Sequence, residues 1–146
     1  MPPAPLIDIL LVEDNPGDIR LAQETLKDYK MQNALHIVGD GEAALLYLRG
    51  LPPYSGVQPP DMVLLDLKLP KMDGLEVLEE VRSDPDLRDL PLALLTSSRM
   101  DEELLRRYRI PVDCYIQKPL TLERFLDAVR CFPQFGVSIV RLAAQV

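Results

Sequence analysis

Apolar positions along the chain alternate between two spacings. Ile7-Asp8-Ile9-Leu10-Leu11-Val12 is a nearly continuous apolar run, the pattern of a strand buried on both faces. Ile19, Ala22, Leu26 and Tyr29 follow at the spacing of one helix face. Asn15 can cap that helix, with Pro16 at its first position. The alternation continues, predicting strands at Leu35–Val38, Met62–Leu65, Leu92–Leu95 and Val112–Ile116. Helices are predicted between and after them. One is capped by Asp40 and turns Ala44, Leu45 and Leu48 inward. A third carries Leu75, Leu78 and Val81 and ends near Asp84-Pro85. A short fourth carries Leu104, Leu105 and Tyr108. The last is capped by Thr121 and buries Leu122, Phe125, Leu126 and Val129.

Prolines punctuate this pattern. Pro16, Pro91, Pro111 and Pro119 each sit beside an apolar run, where an element begins or ends. Leu51 to Pro60 holds four prolines together with Ser55 and Gly56, which reads as a long loop. Apolar strands alternating with helices predict an α/β fold: a doubly wound, five-stranded parallel sheet of flavodoxin-like order 2-1-3-4-5, with helices on both faces. The units are too few for an eight-fold barrel. The 146 residues fit one domain. We assign it to residues 7–131, with an N-terminal tail at 1–6 and a hydrophobic arm at 132–146.

Hydrophobic residues make up 47% of the chain and charged residues 27%, an ordinary globular mixture that excludes a disordered chain. The net charge of −7 would repel a phosphate backbone and argues against nucleic-acid binding. No apolar run approaches the ~18 residues of a membrane span. Met1-Pro2-Pro3-Ala4-Pro5 lacks the basic and apolar regions of a signal peptide, so a cytoplasmic location is expected. In that compartment Cys114 and Cys131 are expected to be free thiols, and they form no metal-ligand cluster. His36, the one histidine, cannot support a histidine-rich metal site and is expected to be structural.

In open α/β sheets the chemistry lies at the carboxyl ends of the strands. Here those ends carry Glu13 and Asp14, Asp66, Thr96, and Lys118. Each alone could be an ordinary loop or surface residue, but four strand ends together are not. Converging carboxylates repel one another and persist most naturally around a cation. All-oxygen ligands suit a hard ion such as Mg²⁺. Lysine and threonine can each hold a phosphoryl oxygen, and an aspartate can be the nucleophile that becomes an acyl phosphate. The rim therefore points to Mg²⁺-dependent phosphoryl transfer to an aspartate.

Four segments carry a family resemblance: Leu11-Val12-Glu13-Asp14-Asn15, Leu64 to Gly74 around Asp66, Leu95-Thr96-Ser97-Ser98, and Tyr115-Ile116-Gln117-Lys118-Pro119. In order and spacing they resemble the receiver domains of two-component response regulators, over roughly Ile7 to Cys131. The resemblance implies that Asp66 accepts a phosphoryl group from a sensor histidine kinase. It implies that Asp14, with Glu13, Asp66 and the backbone carbonyl of Lys68, holds Mg²⁺. Lys118 and Thr96 would contact the phosphoryl group, Thr96 and Tyr115 would form the switch, and Lys118-Pro119 would be cis. The protein would then be a phosphoacceptor that assists its own phosphotransfer and dephosphorylation, not an enzyme with a separate substrate.

Three other functions compete. A phosphatase would carry a second acid where Lys68 stands, and a nucleotide-binding domain would have a Gly-rich loop in place of Asn15-Pro16-Gly17-Asp18. A pseudo-receiver, binding a partner without phosphorylation, has no need of the intact Asp66, Thr96 and Lys118. The Asn15–Asp18 turn, Gly39-Asp40-Gly41-Glu42-Ala43, the proline-rich loop and the hydrophobic tail are similar to receivers paired with phytochrome-type photosensor kinases. Output is expected through protein contacts. Val137-Ser138-Ile139-Val140 favours an extended strand, which can cross to a second copy and receive its counterpart in a two-fold dimer. The face of helix 4, strand 5 and helix 5 is the expected remainder of that homodimer interface.

Overall fold

The computed structural model describes residues 7–27, 33–97, 103, 105–107 and 114–132. Five parallel strands, β1 (Ile7–Val12), β2 (Asn33–Val38), β3 (Met62–Asp66), β4 (Leu92–Thr96) and β5 (Cys114–Gln117), form one sheet in the order β2-β1-β3-β4-β5. This is the order that the alternating pattern predicts. The helices α1 (Pro16–Lys27), α2 (Gly41–Arg49) and α3 (Gly74–Ser83) follow β1, β2 and β3, and a last helix spans Leu122–Val129.

The two-residue period of the strands sorts side chains into two layers. Ile9 and Leu11 of β1 pack with Ala22 and Leu26 of α1 and with Phe125, Ala128 and Val129 of the last helix. Leu10 and Val12 face the other way, onto Ala44, Leu45 and Leu48 of α2, Val77, Leu78 and Val81 of α3, and Leu105. β1, β3 and β4 are buried along their whole lengths, which is why their sequences are runs and not alternations.

Local chemistry starts each helix. The Asn15 Oδ1 accepts from the Asp18 N–H at 3.0 Å, Asp40 Oδ1 from Ala43 at 2.7 Å, Asp73 Oδ1 from Glu76 at 2.9 Å and Thr121 Oγ1 from Arg124 at 3.1 Å. Each such cap is worth about 1 kcal/mol. Asp73 is the cap of α3 and closes the turn that leads into it.

The structure extends the expected boundaries. β2 begins at Asn33, and β3 and β4 run on through Asp66 and Thr96. The ladder continues past the last apolar residue, pairing Asp66 with Leu95 and Thr96 with Gln117, whereas a hydrophobicity pattern stops there. Val112, Tyr29, Leu104 and Tyr108, the tail 1–6 and residues 133–146 of the arm lie outside the described residues. Ile19, Leu122 and Leu126 are half-buried. Tyr47 is buried beside Tyr54, with ring centroids 5.2 Å apart. His36, on the edge strand, stands 3.4 Å from Asp8. Cys114 and Cys131 are free thiols whose sulfurs are 2.8 Å apart.

Gly74 ties α3 to the end of β3. A Cβ there would run into the Asp66 carbonyl oxygen and stand 2.8 Å from the Leu67 Cα. Both obstacles are backbone, so neither can swing aside. Gly74→Ala should therefore lower the free energy of unfolding by about 1–3 kcal/mol, read as a reduced midpoint in urea; an unchanged midpoint would show that α3 moves freely against β3.

Candidate functional site

The site is assembled at the carboxyl edge of the sheet, one strand end at a time. Glu13 continues β1 by one residue: its N–H donates to the Val38 carbonyl at 3.0 Å. Its side chain is 1% exposed, and its Oε1 accepts from the Asn15 N–H at 3.1 Å. Asp14, the next residue, is exposed. Asp66 closes β3 and Thr96 closes β4, and both are buried. The Lys118 N–H donates to the Thr96 carbonyl at 2.8 Å, fixing the backbone just beyond β5.

Glu13, Asp14 and Asp66 each bring one carboxylate oxygen to within 4.8 Å of the other two. Lys118 reaches into the same group. Its Nζ is 2.8 Å from Glu13 Oε2, 3.2 Å from Asp66 Oδ2 and 2.8 Å from Asp18 Oδ2. An all-carboxylate set with one partly exposed member fits a hard divalent ion that keeps some of its waters.

The electrostatics follow from this crowding. Burial pushes the Glu13 carboxyl up to about 7, with Lys118 and the Asn15 N–H pulling it down and Asp66 pushing it up further. Burial works against the charge on Lys118, but hydrogen bonds to Asp18 and Glu13 and the field of Asp66 outweigh it, so its ammonium is held above the ordinary lysine range. Lys118 is thus a fixed positive charge at neutral pH.

The other predicted residues occupy the surroundings. Tyr115 is half-buried against the layer beneath α2 and α3. Lys68 is exposed, two residues beyond Asp66. The Lys118–Pro119 bond is cis, and so is Pro52–Pro53 in the proline-rich loop. Two site residues escaped the sequence reading. Asp18 stands in the first turn of α1, a helix that starts at the sheet's carboxyl edge, and that placement was the available clue. Arg124 donates from one guanidinium nitrogen to the carbonyls of Gln117 at 3.1 Å and Pro119 at 2.8 Å, bracketing Lys118.

Comparison with known proteins places this geometry in context. The model of the response regulator receiver domain matches residues 9–130. The chain is 39% identical to the response regulator Rcp1 of Synechocystis over 136 residues, covering 93% of this chain and 92% of Rcp1. Among solved structures, the bacteriophytochrome response regulator AtBRR superposes with a TM-score of 0.83 at 41% identity, covering 88% of this chain and 93% of that one. The phosphorylated cyanobacterial phytochrome response regulator RcpA gives 0.75 at 40% identity, covering 92% and 96%. The Mn²⁺-bound form of Rcp1 gives 0.72 at 36% identity, covering 96% of both chains.

As a metal ligand Glu13 would have to be ionised, which would give the site a pH dependence. With its folded-state pKa raised from 4.5 to about 7, the metal-free fold binds more protons than the unfolded chain in that window. This stability contribution is full below about pH 4.5 and is lost as the pH rises through about 7. Divalent-metal affinity should run the opposite way. It should rise up to about tenfold per unit below pH 7 and level off above it. Calorimetric titration across this range reads it, and a flat profile would show that no proton leaves Glu13 on binding.

Proposed function

This chain belongs to the response regulator receiver domain family, and from that premise we propose that it accepts a phosphoryl group on Asp66 from a sensor histidine kinase. The observation that carries the reading is the convergence of Glu13, Asp14 and Asp66 with the Lys118 ammonium 3.2 Å from the Asp66 carboxylate.

In this reading an Asp66 oxygen attacks the phosphorus of a phosphohistidine. The O–P bond forms as the P–N bond breaks, and the imidazole leaves with the bonding pair and takes up a proton. Lys118 donates to a phosphoryl oxygen as a point charge, and the Thr96 hydroxyl donates to another. Glu13, Asp14, Asp66 and the Lys68 backbone carbonyl would hold Mg²⁺, which would supply neutralising charge for the phosphoryl oxygens. Attack by water on the phosphorus later breaks the Asp66 O–P bond, releasing inorganic phosphate and regenerating the Asp66 carboxylate, and in this sense the protein assists its own dephosphorylation.

The likeness to phytochrome response regulators supports a phytochrome-type photosensor kinase as the donor. Signalling would then pass through protein contacts, including a homodimer on the face of the fourth helix, β5 and the last helix together with the C-terminal arm. The described residues contain no helix long and apolar enough to cross a membrane.

Incubation with a small phosphodonor such as phosphoramidate and Mg²⁺ should add one phosphoryl group, seen by intact mass. Asp66→Asn keeps the shape and removes the nucleophile, so uptake should fall to background. Full uptake by that variant would overturn the assignment, and no uptake by the wild type would favour a pseudo-receiver that binds its partner unphosphorylated.

A further inference from the structure

Lys118 has three N–H bonds to donate, and three carboxylates surround its Nζ: Glu13 and Asp18 at 2.8 Å and Asp66 at 3.2 Å. Glu13 and Asp66 belong to the acid set that could hold a cation. Asp18 does not. It stands on α1, 39% exposed, and its N–H is already held by the Asn15 cap. Its carboxylate therefore holds the lysine from the helix side, at the same 2.8 Å as Glu13 holds it from the strand side.

We infer that Asp18 is a positioning residue that competes with a phosphoryl group on Asp66 for the Lys118 ammonium. The inference rests on Asp66 as the phosphoacceptor. Two effects act together. While Asp18 keeps one N–H of Lys118, fewer remain for phosphoryl oxygens, and its negative charge repels a phosphoryl dianion nearby. Toward a bare cation the same residue acts in the opposite sense. It pulls the positive lysine off Glu13 and Asp66 and adds negative charge beside them, so it favours metal entry. A residue that merely stabilised the first turn of α1 would not produce opposite signs.

The test uses the whole chain, with Mg²⁺ alone and then with beryllium trifluoride, a phosphoryl mimic, at saturating Mg²⁺. Asp18→Asn should weaken Mg²⁺ binding about two- to fivefold and tighten beryllium trifluoride binding about two- to fivefold, the range set by a partly exposed ion pair. Asp18→Ser, a second neutral variant, should give the same pair of signs, and Asp18→Glu should return both affinities toward wild type. Any other pairing of signs in the neutral variants overturns the proposal. Beryllium trifluoride binding that is absent from the wild type, or equally tight in Asp66→Asn, overturns the Asp66 reading itself and this inference with it.

Discussion

Glu13, Asp14 and Asp66 crowd their oxygens within 4.8 Å of one another, and like charges at that spacing destabilise the fold that holds them. The sheet register imposes this crowding. Val12 pairs with Leu65, so one step further along each strand sets Glu13 beside Asp66. Across the next pair Asp66 faces Leu95, then Thr96 faces Gln117, so each strand carries the rim one residue further and ends at Lys118. The acids and the base are therefore placed by backbone hydrogen bonds among buried apolar strands. That framework is stable enough to bear an unfavourable charge arrangement at its edge.

The base is held by contacts on both sides of its backbone. Its backbone is fixed by the Thr96 carbonyl on one side and by Arg124 on the carbonyls before and after it. Burial would drive a lone ammonium toward neutrality. Lys118 keeps its charge because several carboxylates surround it. Glu13 meets the reverse balance: it is more deeply buried and shares its lysine, so desolvation prevails and its carboxyl is pushed up. One ion pair thus leaves its two partners with opposite readiness to lose charge, because one carboxylate sees a single cation and that cation sees several carboxylates.

Most of the fold is legible in the sequence because its determinants are local. Caps lie three residues from the N–H groups they satisfy, and buried strands are runs of adjacent apolar residues. The strand-end acids are legible for the same reason: they directly follow those runs. What the sequence conceals is distance. Asp18 and Lys118 are 100 residues apart, and their contact follows from where α1 sits over the sheet, which no periodicity encodes. Glu13 reads as a strand-end acid, but its near-complete burial, with a side chain 1% exposed, is not written in the sequence. Tyr47 sits among Ala44, Leu45 and Leu48, and its burial against Tyr54 depends on a loop whose path the prolines do not specify.

The same charges admit two ways of closing the site. Without a cation, Lys118 is shared among Glu13, Asp18 and Asp66, and it cannot neutralise three carboxylates by itself. On the proposed reading, a divalent ion among the acids would release the lysine from two of them, and a phosphoryl group on Asp66 would add negative oxygens and call the lysine back. The main chain at Lys118 is pinned in either case, so the change would fall on its flexible four-carbon side chain. A response built this way needs no large motion at the strand ends. It needs a rigid sheet edge on which a few charged groups can change partners, and the buried strands beneath the rim supply that rigidity.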